Sequence, residues 1–275
     1  MAMAMTADDK RDSGQVLVAA VSDCGTARPA NEDACGTYVE NEACTLAVVA
    51  DGVSGYEGGQ IASQTAVEVT LRAFRESPIA WGPLKRLHRA AQQANIEIHD
   101  RALVVTELCR MSTTLTAVVV HEGILHAVHV GDSRLYLIRN GEIVQKTKDH
   151  TVAADRARIG LSMRPKGHVD RATLTRSLGK DLIAAIDRIT FPLAKDDVLL
   201  VCSDGLYNVL EDMAIREIVA GKDPNDACDA LIRAANELGT PDNLTAAVLR
   251  VTSVGSASHP SSSGWRNVFD RLLKR

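Results

Sequence analysis

Aromatic side chains are scarce in this sequence, at 3% of its 275 residues. A core of that size must then be filled by closely packed Val, Leu, Ile and Ala. The six cysteines, Cys24, Cys35, Cys44, Cys109, Cys202 and Cys228, include no C-x-x-C pair, so zinc-ligand spacing is missing. Those in apolar runs, such as Cys202 in VLLVCS, read as reduced, small hydrophobic side chains. No apolar run approaches the roughly 20 residues that cross a bilayer. The start, MAMAMTADDKRDSG, lacks the apolar stretch of a secretory signal. A cytoplasmic location without a transmembrane segment is expected. Lys and Arg form no stripe and the net charge is -4, which makes nucleic acid a poor partner.

What is present is the balance of a globular protein, 45% hydrophobic and 24% charged. A single folded domain is expected over residues 14–252. Residues 1–13 read as a disordered N-terminus. Residues 253–275 read as a Ser/Gly-rich linker followed by a short amphipathic tail, in which Trp265, Val268, Phe269 and Leu272 share one helical face.

The apolar spacing predicts strands at Val16–Val21 and Thr45–Ala50. Helices follow over Gly58–Ser77 and Pro83–Val105, where Leu84, Leu87, Ala91, Ala94 and Ile98 form a stripe. The period then changes to that of strands. Thr114–His121 pairs with Ile124–Val130 through Glu122-Gly123, and Leu135–Arg139 pairs with Glu142–Lys146 through Asn140-Gly141, a strong hairpin signal. An antiparallel meander is expected there. Residues 150–172 carry Arg156, Arg158, Arg164, Lys166 and Arg171 with few apolar positions, and read as an exposed flap with at most a short helix. Strands near Ile189–Phe191 and Val198–Ser203, helices near Met213–Ala220 and Pro224–Leu238, and a strand at Leu244–Val251 complete the chain. The class is α+β, a sandwich of two antiparallel sheets flanked by helices.

Two segments share one shape. TLAVVA runs into Asp51-Gly52, and VLLVCS runs into Asp204-Gly205. A strand apolar on both faces is buried, so each carboxylate sits at the edge of a core. Asp-Gly is also a common turn dipeptide, and either one alone reads as a turn. Two further acidic spots strengthen the other reading. Asn31-Glu32-Asp33 follows the first strand, and Pro241-Asp242-Asn243 precedes the last. Converged carboxylates repel one another and raise each other's pKa. Divalent cations remove that cost, and oxygen-only ligands suit Mg²⁺ or Mn²⁺. Two such ions about 4 Å apart would share a water and make it a nucleophile at neutral pH. Arg28 offers a guanidinium for a phosphate, or is a plain surface arginine.

RPANEDA at 28–34, VVADGVSG at 48–55, GDSRLYLIRNG at 131–141, DHT at 149–151, LTRSLG at 174–179, SDGL at 203–206 and PDNLT at 241–245 together resemble the metal-dependent protein phosphatases of type 2C. The resemblance covers about residues 14–252. It implies a four-layer αββα sandwich and hydrolysis of phosphoserine or phosphothreonine by water activated on two Mn²⁺ or Mg²⁺ ions, with a third, weaker ion in bacterial-like members. In that reading Asp51 bridges the two metals. The Gly52 carbonyl, Asp204 and Asp242 complete their shells, Glu32 and Asp33 match the family's acidic pair, and Asp132 matches the third-ion position. Arg28 matches the phosphate-binding arginine, and Asn243 would orient its neighbour. Bacterial members carry a flap where Arg156, Arg158 and Arg164 lie here, so these are expected to help select substrate. The implied partners are phosphorylated proteins and an opposing Ser/Thr kinase, with the enzyme a monomer. The alternative is a catalytically weak member that binds partners; it is disfavoured because Asp33, Asp51, Asp204 and Asp242 are all present. One departure stands out. Many members read Asp-Gly-His-Gly and use the histidine as general acid, whereas Val53 follows Gly52 here. Water on a metal or His150 is left for that task, although His150 reads more simply as a structural residue.

Overall fold

In the computed structural model, residues 16–41, 44–53, 58–160 and 173–254 are described. The predicted N-terminal segment, the tail from residue 255 onward and Arg164 lie outside them. The strands are β1 (Val16–Asp23), β2 (Asp33–Asn41), β3 (Cys44–Asp51), β4 (Leu115–His121), β5 (Ile124–Val130), β6 (Arg134–Arg139), β7 (Glu142–Gln145), β8 (Asp187–Pro192), β9 (Val198–Cys202) and β10 (Leu244–Val251). The α-helices are α1 (Gly59–Glu76), α2 (Pro83–Val104), α3 (Val152–Arg158), α4 (Asp204–Tyr207), α5 (Asp212–Val219) and α6 (Pro224–Glu237). The strands form two five-stranded antiparallel sheets, ordered β1-β10-β9-β6-β7 and β2-β3-β4-β5-β8.

Strand periodicity divides the core into three layers of contact. Along β3, Ala47 and Val49 point between the sheets, where they join Val118, Leu199, Val201 and Ala247. The alternating Leu46, Val48 and Ala50 face α1 and α2 and meet Ala62, Ala66, Leu87 and Ala94. Along β9 the same alternation sends Leu199 and Val201 inward, while Val198, Leu200 and Cys202 face α5 and α6. Both faces of these strands are covered, which is why LAVVA and VLLVC are apolar throughout, with Thr45 a buried polar residue before the first of them. Alanine on the helices lets them approach the sheet closely, and Phe74 of α1 is the buried aromatic of that cluster.

Two expectations need correction. The meander does not exist as one sheet. The β4–β5 hairpin belongs to the second sheet and the β6–β7 hairpin to the first, and residues 131–133 carry the chain between them. Each hairpin forms as the turn residues foretell, with Glu122 at φ 49° and Asn140 at φ 53°, both followed by glycine. Their sheet is decided by remote partners, β8 for β5 and β9 for β6. The second correction is β2, which the sequence did not announce. It is an edge strand that is only half-buried, and its Asp, Gly and Glu residues hide the alternation.

Candidate active site

The two sheets bring four separated segments to one end of the sandwich. Asp33 opens β2 and Asp51 closes β3, and the antiparallel register sets these residues directly opposite each other. Asp204 follows β9 as the first residue of α4, and Asp242 lies just before β10. Asp132 sits in the crossing between the sheets.

Each position is fixed by the backbone around it. Asp51 donates its N–H to Thr114 Oγ1 at 2.9 Å, and its carbonyl accepts from Thr114 N and from Thr113 Oγ1. Gly52 donates its N–H to the Glu32 carbonyl at 3.0 Å. No side chain fits at Gly52, because a Cβ would land on the Gly59 carbonyl and 2.7 Å from Glu32 O. Gly205 is closed in likewise by the Asn243 backbone. Asn243 ties the loops together. Its Oδ1 accepts from Glu32 N at 2.9 Å, and its Nδ2 donates to the carbonyls of Cys24 and Ala30. Arg28 donates through Nη2 to Asp242 at 2.9 Å and through Nε to Pro241 O at 3.1 Å. The Arg134 guanidinium grips Asp149 and lies 3.7 Å over the Tyr207 ring, whose hydroxyl donates to the Asp132 carbonyl at 3.0 Å.

Ser203 and Thr245 are the partners that sequence reasoning missed. Both hydroxyls donate to Asp33 Oδ2, at 2.6 and 2.7 Å. They come from the first sheet and hold a carboxylate of the second. The available signal was polarity at the ends of runs otherwise apolar.

The electrostatics of this cluster are unfavourable as it stands. Burial, aided by the charges of Asp204 and Asp242, pushes the Asp33 carboxyl up to about 7 against the pull of its two hydroxyl donors. Burial and the charge of Asp242 raise Asp204 to about 6. Burial, with Asp204 and Asp149, raises Asp132 to about 8. Asp51 is raised as well, by burial first and then by Asp33, Asp204, Asp132 and Asp242. Among the described residues the ion pair reaching this cluster is Arg28 with Asp242, and one guanidinium does not balance five carboxylates. The donor set is all oxygen, which suits Mg²⁺ or Mn²⁺. Among the described residues no three carboxylate, imidazole or thiol groups close into a single-ion cage. The spread arrangement fits ions that keep part of their water.

Val53 donates its N–H to Ser112 O at 3.0 Å and carries no proton to transfer. His150 is buried, at 6% exposure, with both ring nitrogens engaged. Nδ1 accepts from Gly131 N at 3.1 Å, which assigns the proton to Nε2, and Nε2 donates to Asp187 Oδ2 at 3.2 Å. Arg176 donates to the other Asp187 oxygen at 2.9 Å. His150 is thus a bracket between the Asp132 loop and the start of the flap. The flap begins as α3, capped by Thr151 Oγ1. It carries Arg156 and Arg158, the latter 3.7 Å from Asp155.

A sequence profile for the family described as Protein phosphatase 2C matches residues 26–246. The serine/threonine phosphatase stp of Listeria innocua is 31% identical over 235 residues, spanning 82% of this chain and 91% of its own length. The structure of the Mycobacterium tuberculosis serine/threonine phosphatase PstP/Ppp is similar at a TM-score of 0.76 and 31% identity, over 87% of this chain and 100% of that one. A structure of the catalytic domain of PstP in complex with two manganese ions is similar at a TM-score of 0.74 and 30% identity, over 87% of this chain and 99% of the other.

Proposed function

This chain belongs to the protein phosphatase 2C family and is a serine/threonine phosphoprotein phosphatase, and we propose that it works through Mn²⁺ or Mg²⁺ ions held by its strand-end carboxylates. The observation that carries the reading is the convergence of buried, mutually repelling aspartates from separate segments. Asp51 and the Gly52 carbonyl, with Asp204 and Asp242, would hold two ions. Glu32 and Asp33 would bind them directly or through water, and Asp132 would serve a third. Bound there, the cations supply positive charge to the carboxylates and the phosphoryl oxygens and lower the pKa of water to the neutral range. The likeness to a phosphatase complexed with two manganese ions supports this.

The chain's own residues do the positioning. The Thr113 and Thr114 hydroxyls and the Gly52–Glu32 bond fix the Asp51 backbone, so the point from which its carboxylate projects is set before anything binds. Ser203 and Thr245 hold Asp33 to one orientation. Arg28, oriented by the Pro241 carbonyl, presents a guanidinium to the phosphoryl group. Val53 offers no proton to the leaving alkoxide, so water is the donor in this reading. A Ser/Thr kinase acting on the same proteins would be the opposing activity.

Phosphate release from a phosphothreonine peptide, followed with Mn²⁺ or Mg²⁺ present and then with chelator, tests the reading. Release should require the metal, and equal rates in chelator would overturn it. Arg28→Ala should raise KM for that peptide about tenfold, the loss of about 1.4 kcal/mol of binding, with a smaller change in kcat. An unchanged KM would remove Arg28 from the phosphate site. Charge reversal at Arg156, Arg158 and Arg164 should slow hydrolysis of a phosphoprotein severalfold more than hydrolysis of a small aryl phosphate. Equal loss on both, or none, would exclude the flap from substrate selection.

A further inference from the structure

A second concentration of charge, opposite in sign, lies far from the carboxylates. At the N-terminal end of α2 a cavity of about 440 Å³ is lined by Trp81, Lys85, His88 and Arg89, by His126 of β5 and by Arg188 of β8. α2 has 22 residues, about 33 Å of helix. Its other end leads through residues 105–112 to Ser112, which accepts from Val53 N beside the carboxylate site. Met111, next to Ser112, meets Gly179 beside Ile98, so the active site adjoins the C-terminal half of α2 and the cavity its start.

Three observations make the cavity a binding site for an anion. First, its charges oppose the fold. Gly82 caps α2 without a side-chain hydrogen bond, and no acidic residue lies in the first turn. Lys85 is placed instead in the first turn, where the helix dipole is positive and cations are disfavoured, with Arg89 one turn further on. Second, the cations that line the cavity lack compensation. Among the described residues none of Lys85, Arg89 and Arg188 pairs with a carboxylate. Two other cations of the same helix pair are matched: Arg86 meets Glu40 at 2.6 Å, and Arg72 of α1 meets Glu97 of α2 at 2.7 Å. The His88 imidazole is held below its ordinary range, by burial first and then by Arg188 and Arg89. Third, the cavity has an apolar shelf. Trp81 is 42% exposed with Lys85 Nζ 4.7 Å over its ring, and Ile79 beside it is 73% exposed.

We propose that this cavity docks a phosphoryl group carried on a protein segment, at a site separate from the one where phosphate is hydrolysed. Three cations and two imidazoles around one recess suit a dianion with several acceptor oxygens better than a single carboxylate. The exposed indole and Ile79 give apolar neighbours of the phosphorylated residue a surface to lie on. A recess, as opposed to a flat basic face, favours one side chain over a lipid surface. The choice of a phosphoprotein as bearer rests on the phosphatase reading. The anion site itself does not.

The test uses the full chain loaded with Mg²⁺, with Trp265→Phe so that Trp81 is the remaining one of the two tryptophans. The probe is a peptide carrying a non-hydrolysable phosphonate analogue of phosphothreonine. A saturable change in Trp81 emission is expected, and Arg89→Glu with Arg188→Glu should raise its midpoint at least tenfold. Lys85→Gln, a milder change, should raise it severalfold. Hydrolysis of a small aryl phosphate should stay within twofold in these variants, which shows that they fold. That assay also separates the two readings, since its failure in the unaltered chain would count against the phosphatase chemistry and not against the docking site. The docking proposal is overturned by an absent response, by a midpoint unchanged in the double variant, by an equal midpoint for a peptide with Glu in place of the phosphonate, or by a response to phosphatidylglycerol vesicles and none to the peptide.

Discussion

Asp51→Asn is expected to lower hydrolysis of a phosphothreonine peptide by on the order of a thousandfold, about 4 kcal/mol of transition-state stabilisation, while making the metal-free protein more resistant to heat. The two effects have one cause. Asp51 ends a strand buried on both faces, and its carboxyl is pushed up by burial and by Asp33, Asp204, Asp132 and Asp242 together. A charge placed there works against folding and is kept for what it binds. Asparagine keeps the shape, removes the charge and adds a donor towards the neighbouring carboxylates. The backbone bonds to Thr113 and Thr114 do not involve the side chain, so the strand end should stay in place. Peptide hydrolysis with Mn²⁺ and thermal melting in chelator read the two effects separately. A variant that is inactive and also melts lower than the unaltered chain in chelator would show Asp51 to be a structural residue, and the assignment would fall.

How much of this was legible in the sequence differs from residue to residue. β3 and β9 announced themselves because sandwich strands covered on both faces are apolar from Leu46 to Ala50 and from Val198 to Cys202. Asp-Gly after each was legible for a related reason, since Gly52 and Gly205 are pressed against backbone that no Cβ could share. β2 was illegible because one edge of a sheet carries little burial, so the residues that pair Asp33 with Asp51 show no pattern. The division of the two hairpins between the sheets was illegible for another reason. Turn chemistry is local, whereas the pairing of β5 with β8 and of β6 with β9 joins residues some sixty positions apart. The same limit applies to Ser203 and Thr245. Nothing in their spacing says that both hydroxyls reach one carboxylate oxygen from the opposite sheet. His150 read in sequence as a structural residue more simply than as a spare acid. Its bonds to Gly131 and Asp187 make it a joint between the Asp132 loop and the start of β8.

The carboxylate cluster also sets how the metal-free protein should respond to pH. Free aspartates titrate near 3.9, whereas Asp33 is raised to about 7 and Asp132 to about 8, in each case chiefly by burial. Between those values the folded state holds protons that the unfolded state has released, so stability falls as pH rises. Histidines oppose this at lower pH. His129 is lowered to about 4 by burial and His150 is lowered too, and their protonation favours the unfolded chain until about pH 6.5. Buried thiols such as Cys228, pushed up to about 12 by burial, begin to matter only where free thiols ionise, above about pH 8. The carboxylates are therefore isolated between about pH 6.5 and 8. In chelator the melting temperature should drop across that window by several degrees, at about 2–4 °C per kcal/mol. Mn²⁺ at about a hundred times its dissociation constant should restore about 2.7 kcal/mol and flatten the profile, because cations hold the carboxylates ionised at every pH in the window. Asp132→Asn should make the fall shallower in chelator, since it removes a carboxyl raised further than Asp33 or Asp204. A chelated protein whose melting temperature stays level or climbs from pH 6.5 to 8 would mean that these aspartates ionise freely, and the electrostatic case for a metal centre at this edge of the sandwich would be lost.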